Sequence, residues 1–86
     1  MKNLSKLLGQ RIRQLRQEKG LTQEKLTYES GLGSKGYLSE IESGKKAPTL
    51  RVLKILADHL ELEMIDLFTF PQESPRHNKI EKLRTK

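Results

Sequence analysis

The sequence lacks cysteine and tryptophan, and its only aromatic residues are two Tyr and two Phe. Without cysteine, the chain can form no disulfide, no thiolate metal site and no cysteine nucleophile. It also lacks an uninterrupted apolar run near the roughly 20 residues that span a bilayer. We therefore expect a soluble, cytoplasmic protein without membrane contact, whose core depends on packing, either within one chain or with the help of a partner subunit.

Positive charge is abundant but unevenly placed along the 86 residues, whose net charge is +6. Positions 1–57 carry 12 Lys and Arg residues against 5 Asp and Glu. Positions 58–70 carry four acidic residues and no basic one, and positions 71–86 carry five basic residues against two acidic. This asymmetry indicates one face for a polyanion and another face turned away from it, although an ordinary solvated basic surface is the alternative.

Apolar spacing predicts a single all-α domain of five short helices at positions 1–70. The helices are predicted near 5–19, 23–30, 35–43, 50–60 and 64–68. Side-chain hydroxyls that can accept from first-turn amides predict N-caps at Thr22, Ser34 and Thr49. Leu26, Leu38 and Ile41 are predicted to face inward. Apolar stripes at helical spacing are formed in the first helix by Leu4, Leu8, Ile12 and Leu15, and in the fourth by Leu50, Leu53, Ala57 and Leu60, widened by Val52, Ile55 and Leu56. Positions 71–86 have too few apolar residues to offset their ordering entropy, which predicts a basic flexible tail or a marginal helix at 78–83.

Three glycines, Gly31, Gly33 and Gly36, have the G-x-G-x-x-G spacing of a dinucleotide cradle. Such a site needs a buried strand before the first glycine, and the preceding residues TQEKLTYES are charged and do not have a strand pattern. We therefore expect no cofactor. The context instead predicts two short helices joined by a tight turn, which is the arrangement that presents the second helix to the DNA major groove.

The segment from Gly20 to Phe68 resembles the Xre or Cro/phage-repressor type of helix-turn-helix domain. The resemblance is carried by LTQEKL at 21–26, LSEIESGK at 38–45 and PTL at 48–50. It implies a lambda-repressor-like bundle that binds double-stranded DNA, most often as a repressor on a palindromic operator. The sequence departs from the pattern at Thr27, where a small Ala is usual, and in a turn at 31–34 that is one residue longer than the commonest form.

The resemblance also implies which residues meet DNA. Gln23 corresponds to a phosphate anchor at the start of the second helix. The exposed face of the third helix and the loop after it complete the predicted set: Ser34, Lys35, Gly36, Tyr37, Ser39, Glu40, Ser43, Lys45 and Lys46. Lys35 can donate to guanine, and Glu40 can either accept from cytosine N4 or pair with a cation. One or two of Arg11, Arg13 and Arg16 are expected to flank the DNA backbone, with the others on the protein surface.

Catalysis has little support in the sequence. His59 and His77 are far apart and lack partners at metal-ligand spacing, so neither a metal site nor an enzyme is expected. Apolar residues near the end of the domain, Ile65, Leu67, Phe68 and Phe70, predict a homodimer interface, and the alternative is that they close a monomer core. A function of another class also stays open, namely an antitoxin-like or regulatory module whose main partner is a protein.

Overall fold

The computed structural model describes residues 3–70, and in this range the chain is all-α. The five helices are α1 (Leu4–Glu18), α2 (Gln23–Ser30), α3 (Lys35–Ser43), α4 (Leu50–His59) and α5 (Met64–Leu67). No strand occurs among these residues. The predicted fold class is therefore confirmed. The predicted tail at 71–86 and its marginal helix lie outside the described residues.

Side-chain caps explain where the first four helices begin. Thr22, Ser34 and Thr49 each accept a hydrogen bond from the amide three residues later, at 3.0, 3.2 and 3.1 Å. These contacts confirm the three predicted N-caps, and each satisfies an amide that has no partner inside its helix. Asn3 caps α1 in the same way, so α1 begins at Leu4, one residue earlier than predicted.

The core is a single cluster of aliphatic side chains drawn from all five helices. Its buried members are Leu8, Ile12, Leu15, Leu26, Leu38, Ile41, Leu53, Leu56, Ala57, Leu60 and Leu67. Leu4 and Leu50, which continue the predicted apolar stripes, lie outside this core and are 57% and 74% exposed. Both are the first residue of their helix, where helical spacing continues but the neighbouring helices do not cover the side chain.

Helix α3 lies directly against α1 because both contribute glycine at the contact. A Cβ on Gly9, in the middle of α1, would lie 2.7 Å from the carbonyl oxygen of Glu42 in α3. A Cβ on Gly44, at the end of α3, would lie 2.9 Å from the Cα of Lys6. Real Cβ atoms do not approach other atoms so closely, so only glycine permits this spacing of the two backbones. The close packing fixes α3 relative to α1.

Helix α5 packs on α4 and α1, whereas α3 packs on α1 and α2. The Arg11 Nε donates to the carbonyl oxygen of Asp66 at 2.9 Å, and this bond joins α1 to α5. A reciprocal capping box between Glu63 and Asp66 begins α5. Leu67 then enters the core with no exposed surface.

Candidate nucleic-acid interface

The unit formed by α2, the turn and α3 is shaped by glycine conformations that other residues rarely adopt. Gly31 ends α2 at φ 74°, and Gly33 follows at φ 100°, both in the left-handed region. Thr27, buried in α2, directs its hydroxyl to the carbonyl oxygens of Gln23 and Glu24 at 2.9 and 3.0 Å. The threonine that departs from the family pattern is thus accommodated with its polar atom satisfied.

One side of α3 is committed to the core, and the other side faces solvent. Leu38 and Ile41 have no exposed surface, as predicted. Lys35, Gly36 and Ser39 are exposed. Tyr37 and Glu40 are half-buried, and the Tyr37 ring packs partly against the core. Residues with hydrogen-bonding side chains therefore share a surface that no other described helix covers.

The loop after α3 folds back onto that helix. The amides of Lys45 and Lys46 donate to the carbonyl oxygen of Glu40 at 2.9 and 3.2 Å. Ser43 Oγ donates to the same oxygen at 3.1 Å. Lys46 Nζ lies 3.2 Å from Glu40 Oε1 and 5.9 Å from the centroid of the Tyr37 ring. The two loop lysines predicted to meet DNA, Lys45 and Lys46, are thus placed beside the exposed side of α3.

A depression with a volume of about 450 Å³ lies at the start of α2, where a phosphate anchor is predicted. Its lining residues are Arg13, Arg16, Thr22, Gln23, Glu24 and Lys35. Arg13 and Lys35 are exposed cations, one from α1 and one from α3. The amides that open a helix have no acceptor within the helix and favour an anion there. Cations from α1 and α3 and the N-terminal amides of α2 therefore converge on one depression, which also contains the acidic Glu24.

Below this depression lies a buried ion pair between Arg16 and Glu42, a pairing that the sequence reasoning did not identify. Arg16 Nε donates to Glu42 Oε2 at 2.7 Å, and its Nη2 donates to Oε1 at 3.0 Å. Arg16 Nη1 also donates to the carbonyl oxygen of Leu21 at 2.6 Å. Gln23 Nε2 donates to Glu42 Oε1 at 2.9 Å. This network joins α1, α2 and α3 behind the exposed face.

The network corrects the expectation for Arg16 and refines the one for Gln23. Arg16 is only 7% exposed, so it is neither a surface residue nor free to flank DNA. The Gln23 side-chain amide already donates to Glu42, so it is held in place before any ligand arrives. Helical spacing could have indicated that both residues face the core, because Arg16 follows Ile12 by four positions and Glu42 follows Leu38 by four. Both charges therefore fall on apolar stripes.

The residues predicted to form a dimer interface separate into two groups. Leu67 is completely buried in the core of a single chain, and this placement corrects its assignment to the interface. Phe70 is half-buried against the same core. Ile65 and Phe68 are 71% and 40% exposed. Helix α5 thus closes the monomer core with one side and presents two apolar side chains on the other.

A family model described as a helix-turn-helix domain matches residues 7–67, which contain α2, the turn and α3. The chain belongs to the helix-turn-helix domain family. Its domain is Xre-like, it binds DNA, and the family is one of non-enzymatic DNA-binding transcriptional regulators. The described residues contain no helix long and apolar enough to cross a membrane. They also contain no group of three or more His, Cys, Asp or Glu residues suited to hold a metal ion.

Relatives of this helix-turn-helix domain include the uncharacterized HTH-type transcriptional regulator y4dJ of Sinorhizobium fredii. It is 41% identical over 73 residues, which cover 85% of this chain and 94% of the relative. The crystal structure of the restriction-modification controller protein C.AhdI from Aeromonas hydrophila matches with a TM-score of 0.70 and 38% identity, covering 73% of this chain and 94% of that one. The clp gene regulator ClgR of Corynebacterium glutamicum matches with a TM-score of 0.73 and 32% identity, covering 79% and 87%.

Proposed function

We propose that this domain regulates transcription by placing α3 in the major groove of a palindromic operator, and that it acts as a repressor in the cytoplasm, where that DNA lies. The observation that carries the proposal is the division of α3 into a buried side and an exposed side. The core holds Leu38 and Ile41. The exposed side offers donors and acceptors, which is what reading base edges in the major groove requires.

Base contacts in this proposal come from the first two turns of α3. Lys35 donates to guanine O6 or N7, and Ser39 hydrogen-bonds to a base edge. Glu40 accepts from cytosine N4. A Cβ on Gly36 would meet nothing nearer than the Ser34 hydroxyl oxygen, at 3.8 Å. Gly36 therefore leaves room for DNA to approach the helix backbone, with Tyr37 at the edge of the contact.

Phosphate contacts come from the depression at the start of α2. One phosphate there meets the opening amides of Gln23 and Glu24 and lies between the cations of Arg13 and Lys35. Because Glu42 already holds the Gln23 side chain, the start of α2 is preorganised before DNA arrives. Ser34 at the opening of α3, Ser43 at its last position and Lys45 in the loop after it extend this contact along the DNA backbone.

A second copy of the chain completes the proposed site. One α3 covers few base pairs, and helix-turn-helix dimers bind half-sites about 34 Å apart. Ile65, Phe68 and the exposed part of Phe70 are the proposed interface, since they are apolar and belong to the end of the domain away from the α2–α3 contact. The same exposed side chains also favour the second candidate function, a regulatory module whose main partner is another protein.

Selection of bound sequences from a random duplex pool tests this function. We expect the full chain to enrich a palindromic site and Lys35→Ala to weaken binding to it about tenfold, since one base contact is lost. Lys54→Ala is the matched control, because Lys54 is an exposed α4 residue paired with Asp58 and away from α3. Failure to enrich any duplex, or equal losses for the two variants, would contradict the proposed site. If the chain instead bound a protein partner with no salt-sensitive affinity for DNA, the second function would replace the first.

A further inference from the structure

The exposed side of α3 carries one acidic side chain, Glu40, on a surface proposed to meet a polyanion. Its carboxylate forms a salt bridge, because Lys46 Nζ lies 3.2 Å from Glu40 Oε1. The Lys46 ammonium also lies 5.9 Å from the centroid of the Tyr37 ring, within the range of a cation–π contact. Lys46 is therefore directed at two side chains of α3.

Backbone hydrogen bonds hold Lys46 in this position. The carbonyl oxygen of Glu40 accepts from the amides of Lys45 and Lys46 and from Ser43 Oγ. Glu40 thus anchors the loop through its main chain and meets Lys46 through its side chain. Because the loop backbone is already ordered, the ion pair costs only the rotamer freedom of the two side chains.

Lys45, next to Lys46 in the chain, has no carboxylate partner among the described residues. Its side chain is exposed. Its charge is available for a phosphate, and a long flexible stem makes that contact without exact geometry. Two adjacent lysines that look equivalent in the sequence therefore have different surroundings.

We propose that Lys46 is a positioning residue for base recognition rather than a phosphate contact. It neutralises Glu40 and holds Oε1, so that Oε2 is presented to the N4 amino group of a cytosine in the major groove. This inference rests on the proposed function, since it concerns the same surface of α3. The side chains of Glu40 and Lys46 are 43% and 57% exposed, so in the free protein the pair adds little stability. Exclusion of water by DNA lowers the local dielectric constant and strengthens it.

A double-mutant cycle on the full chain tests the proposal, with a duplex selected from a random pool and a panel of its single base-pair variants. The substitutions are Lys46→Gln, Lys45→Gln and Glu40→Ala, alone and with each lysine change in the Glu40→Ala background. We expect Lys46→Gln to reduce the preference for cytosine at one position from about tenfold to nearly none. In the Glu40→Ala background, Lys46→Gln should cause no further loss of that preference.

Lys45→Gln is the matched control and should weaken binding to every duplex by one factor, the same in both backgrounds. Lys46→Arg should keep the cytosine preference, because arginine also pairs with a carboxylate. The proposal is wrong if Lys46→Gln behaves like Lys45→Gln, or if Glu40→Ala leaves the base preference unchanged while the wild-type chain binds DNA. Failure of the wild-type chain to bind any duplex would instead reject the proposed function, and this inference with it.

Discussion

Single residues decide how firmly α3 is held, and the strongest case is the buried pair of Arg16 and Glu42. Two charges leave water at this pair, and their cost is offset by two ion-pair hydrogen bonds and by further bonds to Leu21 and Gln23. Helical spacing indicates that both charges lie on the inward faces of their helices. It does not indicate that they contact each other, since 26 residues separate them in the chain. Pairing between α1 and α3 is a tertiary property that periodicity does not contain.

Breaking this pair should be costly. Glu42→Leu leaves the Arg16 cation buried without its partner, and we expect it to lower the free energy of unfolding by about 3 to 5 kcal/mol. Arg16→Met combined with Glu42→Leu should recover most of the loss, because no unpaired charge remains. Urea unfolding followed by circular dichroism measures both.

The control for Glu42→Leu is an exposed ion pair. Asp58 accepts a hydrogen bond from Lys54 at 2.8 Å and raises the pKa of that lysine, but both side chains are more than half exposed. Asp58→Asn should therefore change the unfolding midpoint very little. Equal effects of Glu42→Leu and Asp58→Asn would show that the buried network does not hold the three helices together.

Two helical glycines should respond in opposite ways to alanine. Gly9→Ala should destabilise the fold, because the new Cβ would meet the backbone of α3 at the Glu42 carbonyl. Gly36→Ala meets open space and should stabilise α3 by up to about 1 kcal/mol, the difference in helix propensity. The same Gly36→Ala variant should bind the selected duplex more weakly, because its methyl group occupies the space proposed for DNA.

Thermal unfolding and duplex affinity measured on both variants check these outcomes. If Gly36→Ala bound DNA as tightly as the wild type, DNA would not approach the backbone at that position. If Gly9→Ala were as stable as the wild type, α1 and α3 would be able to separate without cost.

At the scale of helices, the N-cap residues could be predicted from the sequence, because capping is a local contact. Thr22, Ser34 and Thr49 were assigned correctly, because an N-cap bonds to an amide only three residues away. Burial was less predictable, since Leu4 and Leu50 continue apolar stripes yet lie beyond the reach of their neighbours. Helix boundaries depend on a few adjacent residues, whereas burial depends on the whole arrangement.

The turn after α4 contains a residue whose backbone strain a substitution can relieve. Glu61 has φ 59°, the one positive φ outside glycine among residues 3–70, and the turn there is closed by the Leu62 amide donating to the Ala57 carbonyl oxygen at 2.8 Å. Glu61→Gly should raise the free energy of unfolding by about 1 kcal/mol, because glycine adopts this conformation without steric cost. Glu61→Gln is the control, because it removes the salt bridge to Lys19, whose Nζ lies 3.7 Å from Glu61 Oε1, but keeps the backbone strain. Equal midpoints in urea for the two variants would contradict the argument.

At the scale of the whole molecule, the sequence indicated separate regions for a polyanion and for apolar contacts, and both stay predictions. Cations from α1 and α3 lie at the N-terminus of α2, and α5 packs on α4 and α1. The close spacing of the four apolar residues at positions 65–70 did not indicate which side chains are buried and which are exposed. Leu67 turns inward and Ile65 outward because two positions along an α-helix differ by about 200° around its axis.

The proposed dimer gives a test at this scale. Ile65→Ser with Phe68→Ser should convert a dimer into a folded monomer, because both side chains are exposed in a single chain. Sedimentation equilibrium gives the mass, and circular dichroism verifies the helix content. Leu4→Ser, at another exposed apolar position, should leave the mass unchanged. A dimer that persists in the double variant would place the interface elsewhere.

The measurement that tests the central claim most directly is the salt dependence of duplex binding by the full chain. Binding through several phosphates predicts a linear fall of log affinity with log salt concentration, with a slope of about −0.9 for each phosphate contact. Arg13→Gln should make the slope shallower by about one contact, because Arg13 lines the proposed phosphate site. An affinity for duplex DNA that did not change with salt, or a slope that Arg13→Gln left unchanged, would contradict the phosphate contacts on which this account depends.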